Sequence, residues 1–261
     1  MTTITYERRA DLNRVPDVTL DFWLIKIMAV TMGETAADYL AVNLGLGLTV
    51  TSLIMSGILI VALVLQFAQK RYVPWAYWLA VVLISVVGTL VTDNLVDNFG
   101  VRLETTTIVF SIVLALTFIA WYASERTLSI HTIFTTRREI FYWLAILFTF
   151  SLGTAAGDLV AESFDMGYLT TGLIFGGIIA AITLAWFFLG LNGILAFWLA
   201  YILTRPFGAS FGDLLSQPVE YGGMGFGTTV TSVTFLGAIV VIVLYMTLKT
   251  IIDEDDHALL D

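Results

Sequence analysis

The chain has 261 residues, 58% of them hydrophobic and 13% charged, with a mean hydropathy of +0.90. A soluble domain is about 45–50% apolar and about 25% charged, so a water-soluble globule is excluded and a multi-span membrane protein is expected. The net charge of −9 excludes a basic nucleic-acid surface, and the absence of cysteine excludes disulfides, thiolate metal sites and thiol nucleophiles.

Residues 1–19 carry Arg8, Arg9 and Arg14 and reach Pro16 and Asp17 before any apolar run. They lack a signal-peptide core and read as a cytoplasmic N-terminal segment. A first membrane half is expected over 20–123, with helices at 20–43, 48–68, 74–97 and 104–122. A polar cytoplasmic linker follows at 124–139. The second half, 140–249, holds helices at 140–163, 168–189, 193–216 and 228–249. Lengths near twenty residues match a hydrocarbon core of ~30 Å at ~1.5 Å per residue. Residues 250–261 form an acidic tail containing Asp253, Glu254, Asp255, Asp256 and Asp261. The expected class is therefore an all-α membrane protein with eight transmembrane helices.

The eight helices repeat in pairs. An aromatic precedes a Trp, a Gly stands ten residues after the Trp, and an Asp stands five after the Gly. The copies are Phe22, Trp23, Gly33 and Asp38; Tyr77, Trp78, Gly88 and Asp93; Tyr142, Trp143, Gly153 and Asp158; and Phe197, Trp198, Gly208 and Asp213. Trp-to-Trp spacings of 55, 65 and 55 residues make the chain a duplicated duplication. Each repeat has two spans, so all four copies point the same way, as parallel repeats about an axis along the membrane normal.

Lys and Arg in the connections set the orientation. Arg8, Arg9, Arg14, Lys70, Arg71, Arg126, Arg137, Arg138 and Lys249 fall on one side and Arg102 on the other. Both termini are therefore expected in the cytoplasm, as in a multi-pass inner-membrane protein. Each Trp then lies near the inner interface, as a ring anchor. Its Asp, about 22 Å further along the helix, lies near the outer rim.

Acids at that depth are costly and point to a functional site. Asp38, Asp93, Asp158 and Asp213 are candidate ion, proton or metal ligands. Residues four positions before them, Glu34, Thr89, Thr154 and Ala209, are neighbours on the same helix face. The second helices open with further hydroxyls, including Thr49, Thr51, Ser52, Thr106, Thr171 and Thr231. Oxygen-only surroundings suit protons or hard cations such as Na⁺, K⁺, Mg²⁺, Ca²⁺ or Mn²⁺. Neither His131 nor His257 lies in a span, which argues against zinc or haem. The competing reading makes each Asp a lock for its own helical hairpin.

Three charges break the repeat. Glu34 places a second carboxylate four residues from Asp38, where like charges repel, and is a further candidate for ion or proton binding, one of the two holding a proton or both sharing a cation. Arg205, followed by Pro206, stands where the other copies have Val30, Ser85 and Phe150, and reads as an internal counter-ion or gate. Lys26, three residues past Trp23, is expected to snorkel to the inner interface.

The fourfold pattern over 18–249 resembles a family of bacterial integral membrane proteins with four tandem repeats. Each repeat has two transmembrane helices and a characteristic tryptophan. The resemblance implies eight spans and a membrane location and carries no activity. The expected function is a cation transporter or channel, with a non-transport scaffold or regulator as the alternative. No nucleophile motif or phosphate-cradling loop suggests an enzyme. The expected partners are lipid and a cation, with no cofactor and no nucleic acid; oligomeric state is left open.

Overall fold

The computed structural model describes residues 12–258, with the side chains of 251 and 253–258 outside that description. Arg8, Arg9 and Asp261 lie outside the described residues, as do the side chains of Asp253, Glu254, Asp255, Asp256 and His257.

The described chain is helical throughout, without strands. Helices α1 (Leu20–Asp38), α2 (Leu48–Phe67), α3 (Pro74–Asp93) and α4 (Leu103–Glu125) are followed by α5 (Thr136–Asp158), α6 (Gly167–Leu189), α7 (Gly193–Ser216) and α8 (Thr228–Ala258). Starts follow local chemistry. The Thr19 and Thr135 hydroxyls accept from the Phe22 and Arg138 amides, Asn192 accepts from Ile194 and Leu195, and Pro74 occupies the first turn of α3. α8 continues well past the expected end at 249.

Three inner helices end in a way the hydropathy pattern does not show. After Asp38, Asp93 and Asp158 the chain changes to a π-helical turn, at Tyr39–Asn43, Asn94–Asn98 and Leu159–Ser163. Such turns are rare and cluster at functional positions. α7 instead stays α-helical through Asp213 and leads into a longer connection.

The repeats do not fold back on themselves. α1, α3, α5 and α7 form an inner ring, each packed on the next, with α7 closing on α1. Each second helix packs chiefly on the first helix of the following repeat: α2 on α3, α4 on α5, α6 on α7, and α8 on α1. The ring is therefore locked by its own chain order.

The four repeated glycines explain the close approach of the inner helices. A Cβ on Gly33 would strike Ser85, one on Gly88 Phe150, one on Gly153 Arg205, and one on Gly208 Val30. Each glycine thus seats the residue three before the next repeat's glycine, the small-residue device of membrane helix packing.

Among the described residues seven helices are long and apolar enough to cross a membrane, and the chain is read as a multi-pass membrane protein. The exception is α1, which carries Asp21, Lys26, Glu34 and Asp38. Neighbours α3, α7 and α8 enclose it, so its polarity is met by protein. The outer helices present rows such as Leu53, Ile60 and Val64, or Ile108, Ile112, Leu116 and Ile119, at the molecular surface. In water such a surface would aggregate; in lipid it is solvated.

Candidate cation site

Stepping back four residues at a time from each Asp gives one side-chain row per inner helix, and these rows meet as five layers. At one end lie the aromatics Phe22, Tyr77, Tyr142 and Phe197. Above them come Lys26, Val81, Ile146 and Tyr201, then Val30, Ser85, Phe150 and Arg205, then Glu34, Thr89, Thr154 and Ala209, and finally the four Asp. Every member of the middle three layers is buried.

The aromatic layer is dense. Tyr77 and Tyr142 share a hydroxyl–hydroxyl hydrogen bond of 2.5 Å, and Phe22 lies 5.7 Å from Trp78 and 6.3 Å from Tyr201, ring to ring. Residues 13–15 brace this end. Arg14 pairs with Glu139 at 2.6 Å, Gln66 donates to the same carboxylate at 3.0 Å, and the Arg14 amide donates to the Ile133 carbonyl at 2.9 Å.

The tryptophans are not interfacial anchors in the main. Trp78, Trp143 and Trp198 are 1%, 4% and 4% exposed, and Trp23 is half-buried. Their indole N–H groups donate to Tyr72 Oη, Glu139 Oε1 and the Leu128 carbonyl. Outer helices cover them: Phe118 and Trp121 of α4 meet the Trp198 ring edge-on at 4.9 and 5.7 Å. At Trp198, burial under α4, the second helix of the second repeat, replaces the expected contact with headgroups.

Lys26 does not snorkel. It is fully buried, and Nζ donates to Thr204 Oγ1 at 2.7 Å and to the Tyr201 carbonyl at 3.2 Å. It also lies 3.8 Å above the Tyr201 ring. Its helix is enclosed by α3, α7 and α8, and the side chain has no exposed surface from which to reach water.

Arg205 is likewise fully buried and pairs with Glu34 at 2.8 Å. Nη2 also donates to Thr154 Oγ1 at 2.8 Å and to Thr89 Oγ1, while Nη1 reaches the Val30 carbonyl at 3.4 Å. Thr89 Oγ1 in turn donates to Glu34 Oε2 at 3.2 Å. Thr89 and Thr154 therefore serve the guanidinium, and not the Asp one turn above. Ala209, the small member of that layer, completes it on Arg205's own helix. Glu34 and Arg205, singled out as departures from the repeat, are one ion pair across the axis.

Asp38, Asp93 and Asp158 are half-buried and Asp213 is buried. Gln217 Nε2 donates to Asp38 Oδ2 at 3.4 Å. Among the described residues the carboxylates of Asp93, Asp158 and Asp213 accept no hydrogen bond and join no ion pair. The outer helices start at Gly47, Arg102 and Met166 without a side-chain cap, so no repeated Asp caps the helix that follows it. All four carboxylates lie within electrostatic reach of Glu34, and Asp38 and Asp158 feel one another across the ring. Among the described residues, however, no three acidic or histidine side chains form a group that could hold a metal ion. The Asp layer is a shared field of charge, without a direct metal cage in this conformation.

The hydroxyls opening the outer helices do not complete such a cage. Thr51, Thr106, Thr171 and Thr231 each donate to the carbonyl four residues back, at Gly47, Arg102, Gly167 and Gly227. Beside the Asp layer, Glu162, Asp165, Tyr168, Tyr221 and Gln217 line a cavity of about 530 Å³. Asp97 and Glu162 add their charge to the same end.

An inner ring of closely packed helices, each shielded by the preceding repeat's second helix, defines a helical repeat protein of the membrane. The chain belongs to the family described as Repeat of Unknown Function (DUF347), which matches four times, at residues 22–72, 76–127, 141–191 and 196–251. Neither a curated protein nor a solved structure matches the chain.

Proposed function

We propose that the protein is a cation carrier of the bacterial inner membrane, built from four parallel two-helix repeats around an axis normal to the membrane. Support for the parallel arrangement comes from equivalent residues meeting at equivalent levels, aromatic with aromatic and glycine with the same neighbouring position. Orientation is argued from charge. Arg14, Lys70, Arg71, Arg126, Arg137 and Arg138 flank the aromatic end and Arg102 the Asp end, which favours cytoplasmic termini and an Asp layer facing outward.

The observation that carries the reading is the set of three carboxylates without hydrogen-bond or ion-pair partners among the described residues, one on each of three inner helices, sharing a mouth with Asp38 above Glu34. Rings of acids are a recognised means of collecting cations. Four ionised carboxylates in one field require protons or bound cations to be stable. A carrier is favoured over an open channel because the Glu34–Arg205 pair crosses the axis below the mouth and the tyrosines fill it further in. The protein works with lipid and a cation and has no enzymatic or nucleic-acid role.

The test is a thermal-unfolding panel of monovalent and divalent cations on purified protein, with Asp38→Asn and Asp158→Asn beside the parent. A ligand that binds only the native form raises its stability. The parent is expected to be stabilised by at least one cation, and both variants to lose that response and flux in liposomes. Equal responses in all three proteins would overturn the carrier and leave a scaffold whose acids serve packing.

A further inference from the structure

Lys26 is buried, and among the described residues no carboxylate lies in ion-pair range, although such a charge ordinarily requires one. What holds it is neutral: a backbone carbonyl, a threonine hydroxyl and aromatic faces. The Tyr201 ring centroid is 3.8 Å from Nζ and the Phe150 ring centroid 5.1 Å away. The other side of Phe150's neighbourhood belongs to Arg205, 5.4 Å from the same ring. Glu34, the buried acid of the column, is committed to Arg205.

Carbonyl and hydroxyl oxygens combined with π-faces are the donor set for a singly charged, weakly hydrated cation. A divalent ion, which relies on carboxylates to offset dehydration, is poorly served there. The seat also lies where α7 is least constrained. Pro206 has no N–H to give the Ile202 carbonyl, so the turn supplying Tyr201 and Thr204 has lost one of its helix bonds. Directly in line, two layers above, stand Glu34 and then the Asp mouth.

We propose that this seat is a binding site for a monovalent cation of potassium or ammonium size, closed in this structure by the tethered ammonium of Lys26. The proposal relies on the carrier reading only for the route by which an ion arrives; the seat itself is defined by Phe150, Tyr201 and Thr204 around Lys26 Nζ. An ion descending from the Asp layer competes with Lys26 for the same oxygens and enters when that side chain withdraws.

Deleting the tether while leaving the seat is the direct test. Lys26→Ala protein is unfolded thermally in chloride salts of ammonium, methylammonium, potassium, magnesium and N-methylglucamine at matched ionic strength. The variant is expected to melt below the parent in N-methylglucamine and to recover a substantial part of that loss in ammonium, methylammonium or potassium. Magnesium should do less. Lys26→Met, which refills the seat with an apolar chain, should show no selective recovery. If Lys26→Ala cannot be recovered without ammonium, yield becomes the readout: folding in ammonium but not in N-methylglucamine supports the site, and failure in both overturns it. A Lys26→Ala melting temperature indifferent to cation identity also overturns it. Adding Asp38→Asn and Asp158→Asn to Lys26→Ala separates this seat from the mouth. Persistence of the ammonium response supports an independent inner site; its disappearance assigns the response to the Asp layer and refutes the inner one.

Discussion

Removing either partner of the Glu34–Arg205 pair should destabilise the protein strongly, and unequally. Both groups are almost fully buried at a separation of 2.8 Å, and stranding one member of such a pair costs about 3–5 kcal/mol. Arg205→Met removes the cation nearest Glu34 and the four Asp, and leaves Thr89 and Thr154 without their donor. Its cost belongs at the upper end, near ~5 kcal/mol. Glu34→Gln leaves Arg205 with both threonine hydroxyls and the Val30 carbonyl, and lowers the repulsion on the Asp layer. Its cost belongs at the lower end, near ~3 kcal/mol. The double variant Glu34→Leu with Arg205→Met removes both charges together and should be less damaging than the sum of its singles by several kcal/mol. Unfolding of the three variants in mixed detergent and dodecyl sulfate measures these differences. Additive effects, or a Glu34→Gln variant worse than Arg205→Met, would refute an axial pair that is mainly electrostatic in its coupling.

Gly33→Ala, Gly88→Ala and Gly208→Ala should each cost about 1–3 kcal/mol through overpacking against the next inner helix. Gly57→Ala and Gly237→Ala, where a Cβ meets open space, should be neutral or gain up to about 1 kcal/mol of helix propensity; denaturant midpoints in the same assay decide between the groups. Tryptophan fluorescence provides a separate check of burial. Brominated lipids should quench Trp75 and Trp186, which are 41% and 47% exposed, and spare Trp78, Trp121, Trp143 and Trp198. Most of the quenching should therefore vanish in a Trp75→Phe, Trp186→Phe double variant, and its persistence would mean the repeat tryptophans do face lipid.

The elements themselves were legible because a hydrocarbon core demands runs of about twenty apolar residues, and a fourfold repeat reads each boundary four times. The Trp, Gly and Asp positions were legible for the same reason. The exception of Arg205 stood out against Val30, Ser85 and Phe150, and Glu34 against Thr89, Thr154 and Ala209. The missed partnership between Arg205 and Glu34 had a signal: stepping back by fours from each Asp assigns every axial residue to a layer, with Lys26 opposite Tyr201. The π-helical turns had none, since one additional residue per turn leaves composition unchanged.

Chain order and hydropathy by themselves determined eight helices, four equivalent units, an acid at one end of each first helix and basic connections at the other, because each of these follows from local sequence meeting a uniform apolar solvent. Which helix shields which was decided only in three dimensions. A second helix can bury its inner face equally well on its own partner or on the next, and the packing chose the next. That choice hides the tryptophans, denies Lys26 its path to water, and turns threonines that looked like cation ligands into partners of a buried guanidinium.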